Sequence, residues 1–346
     1  MKSLARYAAT NALTRTMLSE LVTGSEFESI VHSGSVDGAW LALRKTDYGK
    51  WVPDDPPGDI LGIEKVLREV TAARFKRSIH ALRGKPREVG LLLLSRWDMD
   101  NLEFALRLWH GKDTELQKFL TYPSFVSDIP VYDIVEAETL EEIGLLIRAT
   151  PYVEPVTSSL KAYRESKSIF FVEIAMEKDY YRRLLDAAAQ LGGGDAKLAK
   201  KIIGAEIDLV NLAWLSRLLD YYKMDPGVLY KHVIPGPSLI SRALADPGLT
   251  VDKLKHLSSQ ALAGKAVKDV EARVGPDSVA LFETLVGETV VEIARSTLSG
   301  YPFSIGCVFA FYILKRAELR NLKTAFAGKW LGADESEIIN RLYGVR

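Results

Sequence analysis

The chain has 346 residues, of which 47% are hydrophobic, 9% aromatic and 26% charged, a composition that excludes a disordered or low-complexity protein. Its 45 basic and 45 acidic residues cancel, so the basic surplus of a nucleic-acid binder is missing and the balance points towards protein partners. Cys307 is the only cysteine, which rules out an intramolecular disulfide and fits a reducing compartment.

In chain order, the N-terminal MKSLARYAATNALTRTMLSE is interrupted by Arg6, Asn11 and Arg15 and lacks the apolar centre of a secretory signal. SVDGAWLALRKTDY opens at Ser35 with a hydroxyl and, two residues on, a carboxylate. That pattern predicts a helix start, with an oxygen to cap free N–H groups and an anion near the dipole. PDDPPGD (53–59) reads as a turn. LEFALRLW (102–109) carries apolar residues at helical spacing. EAETLEEI (136–143) concentrates carboxylates; a helix N-terminus explains them better than paired acid–base work. It runs into TLEEIGLLIRATPY from Thr139, which ends in Thr-x-Tyr like the Ser35 segment. LGGGD (191–195) predicts a linker between helices, LAWLSRLLDYY (212–222) a helix, and IPGP (234–237) and DPG (246–248) turns. TVDKLKHLSSQ from Thr250 is a candidate third copy of the Ser35 element. After the GPD turn at 275–277, LFETLVGETVVEIARSTL (281–298) is again helical in pattern. The longest apolar run, IGCVFAFYIL (305–314), is about half of the roughly 20 residues that a spanning helix needs. Alternating β-branched runs are scarce, so an all-α chain without a bilayer crossing is expected.

An internal repeat governs this layout. DMDNL (98–102), DLVNL (208–212) and ELRNL (318–322) share an acid, two free positions, Asn and Leu, and the asparagines Asn101, Asn211 and Asn321 lie 110 residues apart in both intervals. The acids are Asp98, Asp208 and Glu318, the leucines Leu102, Leu212 and Leu322, and eight positions before each Asn stands Leu93, Ile203 or Ile313. An acid and an amide at this spacing share one helix face. A catalytic pair is needed once, whereas three copies at one interval favour a role common to every module. The expectation is a helix–helix fastener, with the amide satisfying backbone groups of a neighbouring helix and the acid orienting it or pairing with a basic neighbour. The repeat divides the chain into three helical modules, at residues 1–120, 121–236 and 237–346.

Enzyme chemistry has no pattern to rest on in the same chain. The Gly-Lys pairs beginning at 49, 84, 111, 264 and 328 lack the first Gly and the following hydroxyl of a phosphate loop. His32, His80, His110, His232 and His256 have no metal-ligand spacing. Cys307 sits in an apolar run, the setting of a small buried hydrophobe and not of a thiolate. No nucleophile–base–orienter set emerges, so no catalytic, cofactor or metal residue is assigned.

The repeat carries a resemblance. VGLLLLSRWDMDNLEFALRLWHGK, IIGAEIDLVNLAWLSRLL and PFSIGCVFAFYILKRAELRNLKTAFAGKWLGADESEIINRL resemble the three marker helices of the C subunit of archaeal and bacterial V/A-type ATPases, the family that includes the eukaryotic d subunit. ETLEEIGLLIRATPYVEP resembles its recurring short helix and Thr-Pro-Tyr turn, and the likeness runs from SELVTGSEFESIV to the C-terminus. The resemblance implies three pseudo-threefold related helical modules arranged as a funnel, without catalytic activity or cofactor. It implies a rotor part at the cytoplasmic face of the membrane that links the D and F subunits of the central stalk to the proteolipid c/K ring, touching the membrane only through that ring. It would transmit torque for proton or sodium transport coupled to ATP synthesis or hydrolysis. The competing reading is a free-standing helical scaffold for other protein partners.

Overall fold

A computed structural model describes residues 2–112, 123–220, 223–250, 252–254, 256–257 and 276–344. All of its regular secondary structure is helical, with no strand among the described residues. Helix α1 (Lys2–Ser19) precedes a short pair, α2 (Gly24–Val31) and α3 (Val36–Arg44), and the long α4 (Ile60–Ser78). The first Asn-bearing helix, α5 (Lys85–Gly111), is followed by α6 (Val131–Glu136), α7 (Leu140–Leu146), α8 (Val153–Ser158), α9 (Leu160–Ser166) and the long α10 (Phe170–Ala189). The second, α11 (Gly193–Asp220), leads to α12 (Leu239–Leu244) and α13 (Pro276–Leu298), and the third, α14 (Gly306–Leu331), to α15 (Glu335–Asn340).

Local chemistry places these boundaries. Ser35 caps α3 by accepting from Gly38 N at 3.0 Å, and Thr139 caps α7 by accepting from Glu142 N at 3.2 Å, each worth about 1 kcal/mol. Thr250 Oγ1 accepts from Lys253 N at 3.2 Å in the same register; most of the rest of that candidate copy, with Gly264 and Gly275, lies outside the described residues. The two Thr-x-Tyr turns are built alike. Thr46 Oγ1 accepts from Tyr48 N at 3.1 Å and donates to Leu43 O at 2.7 Å, and Thr150 does so with Tyr152 N at 3.2 Å and Ile147 O at 2.8 Å. In LGGGD, Gly192 (φ 73°) and Gly193 (φ 52°) adopt left-handed backbone, which glycine tolerates without strain, and so turn the chain from α10 into α11.

The chain divides into two compact units, residues 1–82 with 188–346, and residues 83–187. In the first, α14 packs on α4, α13 and α1, and α11 on α13. Its core joins Phe27, Trp40, Tyr48, Ile63, Leu322 and Phe326 from α2, α3, the following 3₁₀ turn, α4 and α14, with Trp40 edge-on to Phe326 at 5.8 Å. Residues 305–315 are buried without interruption, so the longest apolar run is a core helix, buried on every side. No helix of the described residues is long and apolar enough to cross a membrane. In the second unit α5 packs on α6 and is joined to α10 by ions: Arg96 grips Glu177 with two bonds of 2.7 and 2.6 Å, and Arg107 Nε reaches Glu173 at 2.6 Å.

Candidate functional site

The repeated residues are all interior. Asp98, Asn101 and Leu102 lie on α5, Asp208, Asn211 and Leu212 on α11, and Glu318, Asn321 and Leu322 on α14, none more than 6% exposed. Each asparagine clasps the main chain 22 or 23 residues downstream. Asn211 donates Nδ2 to Ile234 O at 2.9 Å and accepts from Ile234 N at 2.7 Å. Asn321 does the same to Tyr343, at 2.9 and 2.8 Å. Asn101 donates to Pro123 O at 3.3 Å, where proline offers no N–H for a second bond. A primary amide presents donor and acceptor side by side, which matches one residue's N–H and C=O; a carboxylate cannot. The partner is thus a returning segment between or after helices, where a neighbouring helix was expected. Backbone in such segments has no helical partner, and once buried it must find one.

The first two acids bind the start of the next segment along the chain. Asp98 accepts from the backbone N–H groups of Phe125 at 2.7 Å and of Val126 and Ser127 at 2.8 Å. Asp208 accepts from the hydroxyls of Ser238, at 2.6 Å, and Ser241, at the start of α12; burial pushes its carboxyl above the usual range, and the two serines oppose that. Glu318 binds differently. It turns instead to the other end of the sequence, accepting from Val22 N at 2.8 Å and Tyr48 Oη at 2.6 Å. Asp98 and Asp208 therefore act locally, while Glu318 joins residues 296 and 270 positions apart. The clasps also account for the second unit, which holds α5 together with the segments that Asn101 and Asp98 bind.

Three further residues belong to this site. Tyr48 and Tyr152, the tyrosines of the two Thr-x-Tyr turns, are both fully buried. Tyr152 Oη donates to Ser95 O at 2.8 Å, three residues before Asp98, while Tyr48 meets Glu318 and Lys315, three residues before it. An arginine lies over each ring, Arg74 over Tyr48 at 5.5 Å and Arg183 over Tyr152 at 5.6 Å. Burial, then Glu318, holds the Tyr48 phenol well above its ordinary range, so it remains a donor. Lys315, fully buried, bonds Glu318; burial pulls its ammonium down to about 8, with Glu318 opposing. For Lys315 the signal available was its place as the first charged residue after the longest apolar run.

The arrangement holds the chain; its carboxylates are committed to N–H, hydroxyl and ammonium donors. Among the described residues no group of three or more His, Cys, Asp or Glu is placed to hold a metal. Burial pushes the Cys307 thiol up to about 11, and its Sγ lies 3.2 Å from Ser304 O, so it is no thiolate at neutral pH. A cleft of about 840 Å³ is lined by Arg6, Asp195, Lys201, Glu292 and Tyr301 among others. Its Asp195 is engaged by Tyr7 Oη at 2.8 Å and Ile305 N at 3.0 Å.

The family described as ATP synthase (C/AC39) subunit matches residues 10–341. The C subunit of the A-type ATP synthase of Methanocaldococcus jannaschii is 25% identical over 345 residues, covering 94% of this chain and 83% of the relative. The protein of the same name from Thermococcus gammatolerans is 24% identical, with 98% and 90% covered, and that of Pyrococcus horikoshii 23% identical, with 92% and 85% covered.

Proposed function

We propose that this chain, which belongs to the ATP synthase (C/AC39) subunit family, is the non-catalytic rotor collar of a V/A-type rotary ATPase. In this reading its three repeats, divided near residues 120 and 236, form a funnel at the cytoplasmic face of the membrane. The funnel receives the foot of the central stalk, its D and F subunits, and rests on the proteolipid c/K ring. It passes torque between the ATP-hydrolysing sector and the ring, in support of proton or sodium transport.

The observation that carries the reading is the circuit of buried clasps. Asp98 and Asp208 each fasten the start of the following segment, and Glu318 fastens Val22 and Tyr48 at the beginning of the chain. A part that transmits torque gains stiffness when its third repeat is tied to its first. Interior packing and paired buried polar groups supply that stiffness, because neither yields without loss of contacts.

Purification of the affinity-tagged full chain from detergent-solubilised membranes tests this. The expected result is recovery of both a proteolipid ring and a coiled-coil stalk protein. Recovery of neither, with other proteins bound, would replace the collar by a free-standing scaffold.

A further inference from the structure

The inner face of helix α1 carries buried polar side chains. Tyr7, Thr10, Asn11, Thr14 and Met17 form its buried stripe at helical spacing, against α4 and α14. The three middle positions are polar. Thr10 Oγ1, Asn11 Oδ1 and Thr14 Oγ1 are buried with no hydrogen-bond partner within the protein. No protein group replaces the water that each such atom gives up on docking. The bonds that fix α1 lie to either side of them. Tyr7 Oη donates to Asp195 at 2.8 Å, and Arg15 reaches Leu298 O at 3.4 Å. Just beyond the helix, Glu20 is held by the buried Arg74 at 2.6 Å and Val22 N by Glu318 at 2.8 Å.

We propose that α1 is a release clasp: it undocks as a unit from α4 and α14 about an anchored hinge at Glu20–Val22 while the remaining helices stay folded. Undocking rehydrates the three orphan atoms and, among the described residues, breaks the Tyr7 and Arg15 bonds and the Arg6–Asp195 ion pair. Asp195 keeps its bond from Ile305 N, so the start of α11 survives the event. The hinge holds because Arg74 and Glu318 bind the linker from the interior. The open form bares part of α14, whose residues 305–315 are otherwise covered on every side, and any partner of that surface would hold the clasp open by population shift. The clasp would operate in a rotor collar and in a free-standing scaffold alike.

Native-state hydrogen exchange on the full chain tests it. The amides of α1 are expected to exchange about a hundredfold or more faster than those of α14, as a local opening rather than global unfolding. Thr10→Val with Thr14→Val, which removes two orphan hydroxyls at constant volume, should slow exchange in α1 by about tenfold or more. Tyr7→Phe should speed it and leave α14 unchanged. Equal protection of α1 and α14 in the unaltered chain would overturn the proposal, as would faster exchange in α1 of the double valine variant. Should that variant not fold, Thr14→Val alone carries the test with the same signs.

Discussion

Asn211→Ala is the sharpest perturbation of the repeat. Asn211 is 1% exposed and Ile234 2% exposed, and the substitution leaves both the N–H and the C=O of Ile234 without their amide partner. A buried backbone group stripped of its partner costs about 1–3 kcal/mol, so two lost bonds destabilise by about 2–6 kcal/mol. At roughly 2–4 °C per kcal/mol for a cooperative body of roughly 150–250 residues, the midpoint falls by roughly 4–24 °C. Calorimetry of the purified full chain measures this directly. Asn211→Asp should do no better than alanine, because its second oxygen would face the carbonyl of Ile234 that Nδ2 now serves. A midpoint within about 1 °C of the unaltered chain for either variant would refute the reasoning, since the smallest cost assigned corresponds to several degrees.

The buried ions give three further outcomes. Glu318→Met strands the Lys315 ammonium and should cost about 3–5 kcal/mol, while Glu318→Met with Lys315→Met, which removes both charges, should recover a large part in denaturant titrations. Lys315, pulled by burial from 10.5 to about 8, releases its proton in the folded chain before the unfolded one does. Stability should therefore rise with pH between about 8 and 10.5, and Lys315→Met should flatten that rise in denaturation measured across pH. Glu103 on α5 behaves in the opposite sense: burial, opposed by Arg96, raises its carboxyl from 4.5 to about 8. The folded chain retains a proton that the unfolded chain has lost, so this contribution is complete below about 4.5 and disappears as pH climbs towards 8. Glu103→Gln should remove that decline.

Helices were legible in the sequence because burial writes a period of 3.6 into apolar positions, and the Ser35 and Thr139 caps because their chemistry is local. The 110-residue recurrence marks the three acids and three asparagines that make the clasps. What those residues bind was not legible. Pro123, Ile234 and Tyr343 take part through backbone atoms, which every residue type but proline offers alike, so no side-chain pattern marks them. Glu318 reaches Val22 across 296 positions, and sequence spacing carries no record of such a meeting. One trace is present: the third acid is Glu where the others are Asp, and it serves partners 296 and 270 positions away. The inner face of α1 escaped for a different reason. Periodicity is read on apolar residues, and Thr10, Asn11 and Thr14 are buried polar ones.

Torque transmission is tested most directly by ion transport driven by ATP, measured in proteoliposomes bearing the whole rotary complex, assembled with and without this chain. Without it, the catalytic sector is expected to hydrolyse ATP while transport disappears, and adding back the purified chain should restore transport. Transport that continues at the same rate in its absence would contradict the claim that it links stalk to ring.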